Sequence, residues 1–176
     1  SFPRVYRHRQ QCWLVPEMAD AGVQHAYALD DAGQLLNRAP VIIHGLSGID
    51  PVLFEHGGHY WAFASPEGRR ANYQLELFIA DDLFGPYRPH PANPVLIDPR
   101  GGRSAGPVVC RGERLYRFGQ VFGRLYGSAI EVFEITTLDP LRYAEIPVGR
   151  IDISDDESFD IDRESAPWPA DAAARE

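Results

Sequence analysis

The chain is poor in sulfur, with two cysteines and one methionine among 176 residues. No Cys-x-x-Cys pair occurs, so a thiolate zinc site has no support. Cys12 and Cys110 fall at different offsets within the repeats described below, and they read as two buried thiols rather than a disulfide. No stretch approaches 18 consecutive apolar residues, which excludes a transmembrane helix. No signal peptide is visible, and a cytoplasmic location is the expectation from that absence. The chain starts at Ser1 rather than Met, as expected of a processed product or a piece of something longer. There is no glycine-rich phosphate loop and no Gly-x-Ser-x-Gly nucleophile elbow. The acidic run from Asp152 to Glu157 lacks the central glycine and spacing of a calcium loop. His44, His56, His59 and His90 scatter over turns, and His56 and His59 flank a glycine hairpin where they read as solvated. Neither a metal nor a cofactor is expected.

The net charge of −8 is unevenly spread. Residues 151–176 hold nine acids and two arginines, a net of −7, which leaves the body near −1. Neither part offers the clustered basic face that nucleic acid needs. The length suggests one domain with a sizeable core. The 15 prolines and 16 glycines set among short apolar runs favour strands and turns over long helices.

What the chain does have is a repeat. A small or polar residue, Pro and two or three apolar residues are followed by a polar gap and an aromatic run. It reads Phe2-Pro3-Arg4-Val5-Tyr6 with Cys12-Trp13-Leu14, then Asp50-Pro51-Val52-Leu53-Phe54 with Tyr60-Trp61-Ala62-Phe63. It returns as Gly106-Pro107-Val108-Val109-Cys110 with Leu115-Tyr116-Arg117-Phe118. The prolines are 48 and 56 residues apart, and Cys12, Tyr60 and Tyr116 each lie nine residues after theirs. A repeat near this length, built of short strands, marks a β-propeller blade. Within the repeats, Gln24 to Leu29, Gln74 to Ala80 and Ser128 to Ile135 alternate as third strands should. His56-Gly57-Gly58 and Arg111-Gly112-Glu113 read as hairpin turns. The fold expected is all-β: three four-stranded antiparallel blades at about 1–47, 48–101 and 102–148. An acidic, poorly ordered or partner-dependent tail is expected over 149–176.

Longer motifs carry a resemblance. They are Asp50 to His56, Tyr60 to Phe63, and above all Ala80-Asp81-Asp82-Leu83-Phe84-Gly85-Pro86-Tyr87-Arg88-Pro89-His90-Pro91-Ala92-Asn93-Pro94-Val95. Arg103-Ser104-Ala105-Gly106-Pro107 and Leu115-Tyr116-Arg117, with Gln120 and Arg124-Leu125-Tyr126-Gly127, add to them. Over roughly residues 1–147 the chain resembles the N-terminal domain of glucosamine inositolphosphorylceramide transferase-type proteins and their bacterial relatives. That domain is related to five-bladed propellers of the glycoside hydrolase family 43 kind. The resemblance makes the three repeats blades two to four of five. The remaining two are not evident, and two blade faces are left open.

In family 43 hydrolases three carboxylates at the propeller axis act as base, pKa-tuning residue and general acid, and inversion needs acid and base on opposite faces of the sugar. By resemblance the base falls before Ser1, the tuning position matches Asp50, and the acid of a Glu-Gly-Pro motif is Ala105. A methyl group donates no proton, so the resemblance implies that hydrolysis is not available to this chain alone. Asp50 reads equally well as a turn cap before proline. Arg103 points toward the same axis, to bind carboxylate, phosphate or sugar hydroxyls, or else is a surface arginine in a Gly-Gly-Arg turn. Gln120, Arg124 and Tyr126 suit sugar hydroxyls at the same mouth, and suit turn structure as well.

The function these readings imply is a carbohydrate-associated propeller lacking hydrolase activity. Its expected ligand is a carbohydrate or glycolipid, and a transferase domain is a possible fused or associated partner in surface glycan or glycolipid synthesis. Two alternatives stay open. One is a part of an active glycosyl-transferring or glycoside-hydrolysing enzyme whose other residues lie outside this segment. The other is a truncated fragment without function.

Overall fold

The computed structural model describes residues 3–16, 23–36, 40–122 and 128–152. Among them are fourteen strands in three antiparallel sheets, joined by turns and one short 3-10 helix, Gly68–Asn72.

The first sheet runs β1 (Arg4–His8), β2 (Gln11–Val15), β3 (Gln24–Leu29), β4 (Val41–Ile43), in that spatial order. The second runs β5 (Ile49–His56), β6 (His59–Ser65), β7 (Gln74–Ala80). Its outermost position is shared by two short strands, β8 (Arg88–Pro89) and β9 (Leu96–Ile97), which pair opposite ends of β7. The proline-rich stretch between them breaks the edge strand, because proline has no N–H for the ladder. In the third sheet the innermost position is split instead. There β10 (Arg103–Ser104) and β11 (Val109–Arg111) pair opposite ends of β12 (Arg114–Val121), followed by β13 (Ala129–Leu138) and β14 (Tyr143–Asp152). The break falls on Ala105-Gly106-Pro107.

The repeat unit is thus a four-position antiparallel meander, and the hairpins form where the glycines and polar turns stand. Gly57 and Gly58 close β5 to β6 at φ of 60° and 77°, and Gly112 closes β11 to β12 at 61°. Glycine adopts that left-handed backbone without a Cβ penalty. The strand β14 continues to Asp152, past Val148 where the last blade was expected to end and past Arg150, beyond which the apolar periodicity fades. The ladder that pairs Ala129 with Asp152 and Ile130 with Ile151 is a backbone interaction and needs no apolar side chain. Residues 153–176 lie outside the described residues.

Period-two alternation sorts the middle sheet between two cores. Leu53, Ala62, Ala64, Phe78 and Ala80 face the first sheet, where they meet Val15, Ala26, Ile43, Leu83 and Tyr87. Val52, Trp61, Phe63, Leu75, Leu77 and Ile79 face the third sheet and meet Leu115 and Ile135. A sheet buried on both faces reads as near-continuous apolar sequence, which is why Tyr60 to Ala64 shows no polar alternation. The end sheets have a bare face each. Val5 and Ile42 on the first, and Ile146, Val148 and Ile151 on β14, are exposed.

The expectation of two buried thiols is corrected at both positions. Both cysteines are free, but Cys110 is exposed, because it lies on β11 at the sheet edge. Cys12 is half-buried in β2.

Candidate functional site

The innermost strands of the three sheets converge. Among the described residues, a cleft of about 410 Å³ is lined by Arg4, Val5 and Tyr6 from β1 and by Ala105, Gly106 and Pro107 from the gap between β10 and β11. Two sheets that are not neighbours in the chain therefore share one wall-to-wall space, as blades around a common axis do. The second sheet's contribution stands at the start of β5. Asp50 occupies a register shift between Ile49 and Val52 in the β5–β6 ladder, with φ of 50°. Aspartate tolerates this left-handed backbone better than most residues, though at some cost. A bulge that holds a strained non-glycine residue is a recurrent device for re-aiming a side chain.

The re-aimed carboxylate meets Arg103. Its Nε–H donates to Asp50 Oδ2 at 2.5 Å, and Nη1 donates to Asn72 Oδ1 at 3.2 Å. The pair is mostly shielded, with the Arg103 side chain 18% and the Asp50 side chain 12% exposed. Arg103 lies opposite Gln120 in the β10–β12 ladder, and Gln120 Nε2 donates to the Ser104 carbonyl at 3.0 Å. Asp50, Arg103 and Gln120 are thus brought to one place by three strands. Arg124 and Tyr126 lie outside the described residues.

Tyr6 completes the cleft wall from below. Its hydroxyl oxygen accepts the Leu53 N–H at 3.2 Å. Burial pushes its pKa up, against the opposing pull of the Leu53 amide and of Arg4 beside it. The phenol therefore keeps its proton at neutral pH and serves as a neutral hydrogen-bonding group. Arg4 and Tyr6 escaped the sequence reading, although both stand in the first repeat just after its proline. They align with Val52 and Phe54 of the second repeat, which are apolar there, and that mismatch was the available signal.

Behind the site a buried cluster fixes the approach to β10. Arg117, 1% exposed, donates through Nε to Glu145 Oε2 at 2.7 Å and through Nη2 to Oε1 at 2.5 Å. Its Nη1 donates to the Gly101 carbonyl at 2.8 Å, two residues before Arg103. The Phe133 ring lies 4.3 Å from its guanidinium carbon, and Tyr143 donates to Glu145 at 2.5 Å. Burial disfavours the charge on Arg117, but Glu145 and Tyr143 more than offset it and hold its pKa above the usual value. The Gly101-Gly102 backbone is pressed close. A Cβ at Gly102 would run into the backbone of Tyr73, so β10 enters the site on a path only glycine allows.

Three short-stranded antiparallel sheets packed face to face with their first strands around a cleft define a β-propeller arc. The same architecture appears in family 43 glycosidases. A family 43 β-1,3-galactosidase solved with galactodeoxynojirimycin superposes with a TM-score of 0.64 at 14% identity, over 81% of this chain and 44% of that one. A family 43 protein from Bacillus licheniformis gives 0.61 at 17%, over 85% and 32%. The exo-β-1,3-galactanase from Phanerochaete chrysosporium bound to galactose gives 0.54 at 18%, over 84% and 33%. At these identities the likeness concerns the fold.

The family itself is set by sequence. The model of the glucosamine inositolphosphorylceramide transferase 1 N-terminal domain matches residues 1–159, and the chain belongs to that family. Glucosamine inositolphosphorylceramide transferase 1 of Arabidopsis thaliana is 29% identical over 153 residues, which are 84% of this chain and 20% of that protein. The chain thus spans about a fifth of this curated relative. Among the described residues, no helix is long and apolar enough to cross a membrane.

Proposed function

We propose that this domain is a saccharide-recognition propeller without glycosidase activity, which serves a glycosyltransferase by holding a glycan or glycolipid. The observation that carries the reading is the state of the axis. Where hydrolase relatives are expected to present a general acid, Ala105 offers a methyl group. The neighbouring carboxylate, Asp50, is tied to Arg103 at 2.5 Å. Acid–base hydrolysis needs one carboxyl group to give a proton and a second to activate water, some 6.5–9.5 Å apart in inverting enzymes. Asp50 alone, already paired with a guanidinium, supplies neither half of that couple. A cleft with a phenol, a guanidinium and apolar walls has the makeup of a binding site, in which a few polar groups orient a ligand against a mostly apolar surface.

Binding to a glycan array and by calorimetry tests the reading, with wild type beside Asp50→Asn, Asp50→Ala and Arg103→Ala. Asp50→Asn keeps a residue that tolerates the backbone at φ of 50°, and so separates charge from strain. Specific binding that Arg103→Ala weakens supports the proposal. A folded wild-type sample that binds no glycan sinks it. Glycoside turnover that disappears in Asp50→Asn would overturn the non-hydrolytic part.

A further inference from the structure

The uncovered faces of the two end sheets complement one another. We propose that two copies of this chain close into one ring of six sheets, with the third sheet of each packed on the first sheet of its partner. The proposal does not depend on what the cleft binds. Its ground is a packing relation that the chain already repeats. The inner hairpins turn at Arg9-Gln10, Gly57-Gly58 and Gly112-Glu113, and these turns set the three sheets in register. In that register Tyr6, Trp13 and Val15 of the first sheet correspond to Phe54, Trp61 and Phe63 of the second. Each set packs toward the sheet that follows. Likewise Leu53 and Ala62 of the second sheet correspond to Val108 and Arg117 of the third, and each pair packs toward the sheet that precedes.

The uncovered faces are the remaining members of these two series. On the third sheet Val109, Tyr116 and Phe118 continue the series of Phe54, Trp61 and Phe63. Val132 stands beside Phe118 on β13, and Ile151 stands beside Ile130 on β14, so the apolar face runs across the sheet. On the first sheet Val5 and Leu14 continue the series of Leu53 and Ala62, with Tyr27 beside Leu14. One face is thus built to take a following sheet and the other to take a preceding one, and a second copy supplies both. Contact between unlike faces makes a closed ring when its rotation divides a full turn. Six sheets need about 60° per step, within the range of four- to eight-bladed rings. A face of four strands, each about five residues long, covers roughly 300 Å². Two contacts cover four such faces, on the order of 1,200 Å² in all, which is the lower end of stable interfaces.

Size-exclusion chromatography with multi-angle light scattering, at protein concentrations up to about 100 μM, tests the pairing. The expected mass is twice 19.7 kDa. Ile42 and Ile151 lie on the outermost strands of the two faces and are 42% and 53% exposed. Ile42→Arg or Ile151→Glu alone puts an unpaired charge into both contacts and should weaken pairing roughly tenfold or more. The sheet signal in circular dichroism should persist, which separates lost pairing from lost folding. Mixing the two variants should restore the pair, because one contact between them is unsubstituted and the other joins Arg to Glu. A wild type that is monomeric at every concentration overturns the proposal, as does an open-ended series of larger species. A pair that survives either substitution, or a mixture that stays monomeric, overturns it as well.

Discussion

Replacing Glu145 by alanine is expected to be among the most damaging single changes in the third sheet. Glu145 takes two hydrogen bonds from Arg117 and one from Tyr143, at 2.5–2.7 Å. The Glu145 side chain is 6% and the Arg117 side chain 1% exposed. Without Glu145 the guanidinium stays buried against Phe133, with the neutral Gly101 carbonyl still accepting from its Nη1. A buried charge stripped of its counter-ion costs about 3–5 kcal/mol. For a chain of this size each kcal/mol lowers the melting temperature by about 2–4 °C, so the drop should be roughly 6–20 °C. Circular dichroism melts and urea titrations of wild type and Glu145→Ala measure it.

The double variant Arg117→Met with Glu145→Leu checks the cause. It removes both charges together and fills the space with apolar atoms, a change that is often neutral or stabilising for a buried pair. It should recover most of the loss. A fall below about 3 °C in Glu145→Ala, at most about 1.5 kcal/mol even at 2 °C per kcal/mol, would refute the argument. So would a double variant no more stable than the single one. The damage should also reach the ligand. Arg117 holds Gly101, and Gly101 leads into Arg103, so glycan affinity should fall even at temperatures where Glu145→Ala is fully folded.

Gly102→Ala should destabilise by about 1–3 kcal/mol or more, since its methyl meets the Tyr73 backbone, which cannot swing aside. Chemical denaturation measures this, and a change of a few tenths would mean that the close approach is not there. Alkaline pH should unfold the protein from the tyrosines. Burial raises the pKa of Tyr6, Tyr87 and Tyr143, and Glu145 adds to the effect at Tyr143. Folding thus favours the protonated phenols. Their contribution is complete below the unfolded value near 10 and is lost as pH rises above it. Absorbance at 295 nm should show exposed tyrosines titrating first and the buried set ionising together with the loss of the circular dichroism signal. Ionisation of every tyrosine near pH 10 in folded protein would contradict the buried environments.

Blade structure was legible in the sequence because it rests on local chemistry. The glycines that close hairpins need positive φ, and third strands such as Gln74 to Ala80 alternate with a period of two, so both can be read one segment at a time. The split inner strand of the third sheet was not legible. The blade was expected from about residue 102, but the break of its inner strand between Ser104 and Val109 had no local signal, because the pairing of Arg103 with Gln120 depends on where β12 ends. The site was half legible for a similar reason. Asp50 and Arg103 are 53 residues apart, and each could be named as an axis residue, but their mutual ion pair is a tertiary fact that turns two candidate ligand groups into one neutralised unit. Arg117 did leave a trace. It stands between Leu115 and Gly119 on the inward face of an alternating strand, where a charge demands a buried partner. Arg4 left a subtler one, an arginine where the second repeat has Val52 and the third has Val108. A repeat that departs from its own pattern at one position has given up packing there, and in the first blade that position opens onto the cleft.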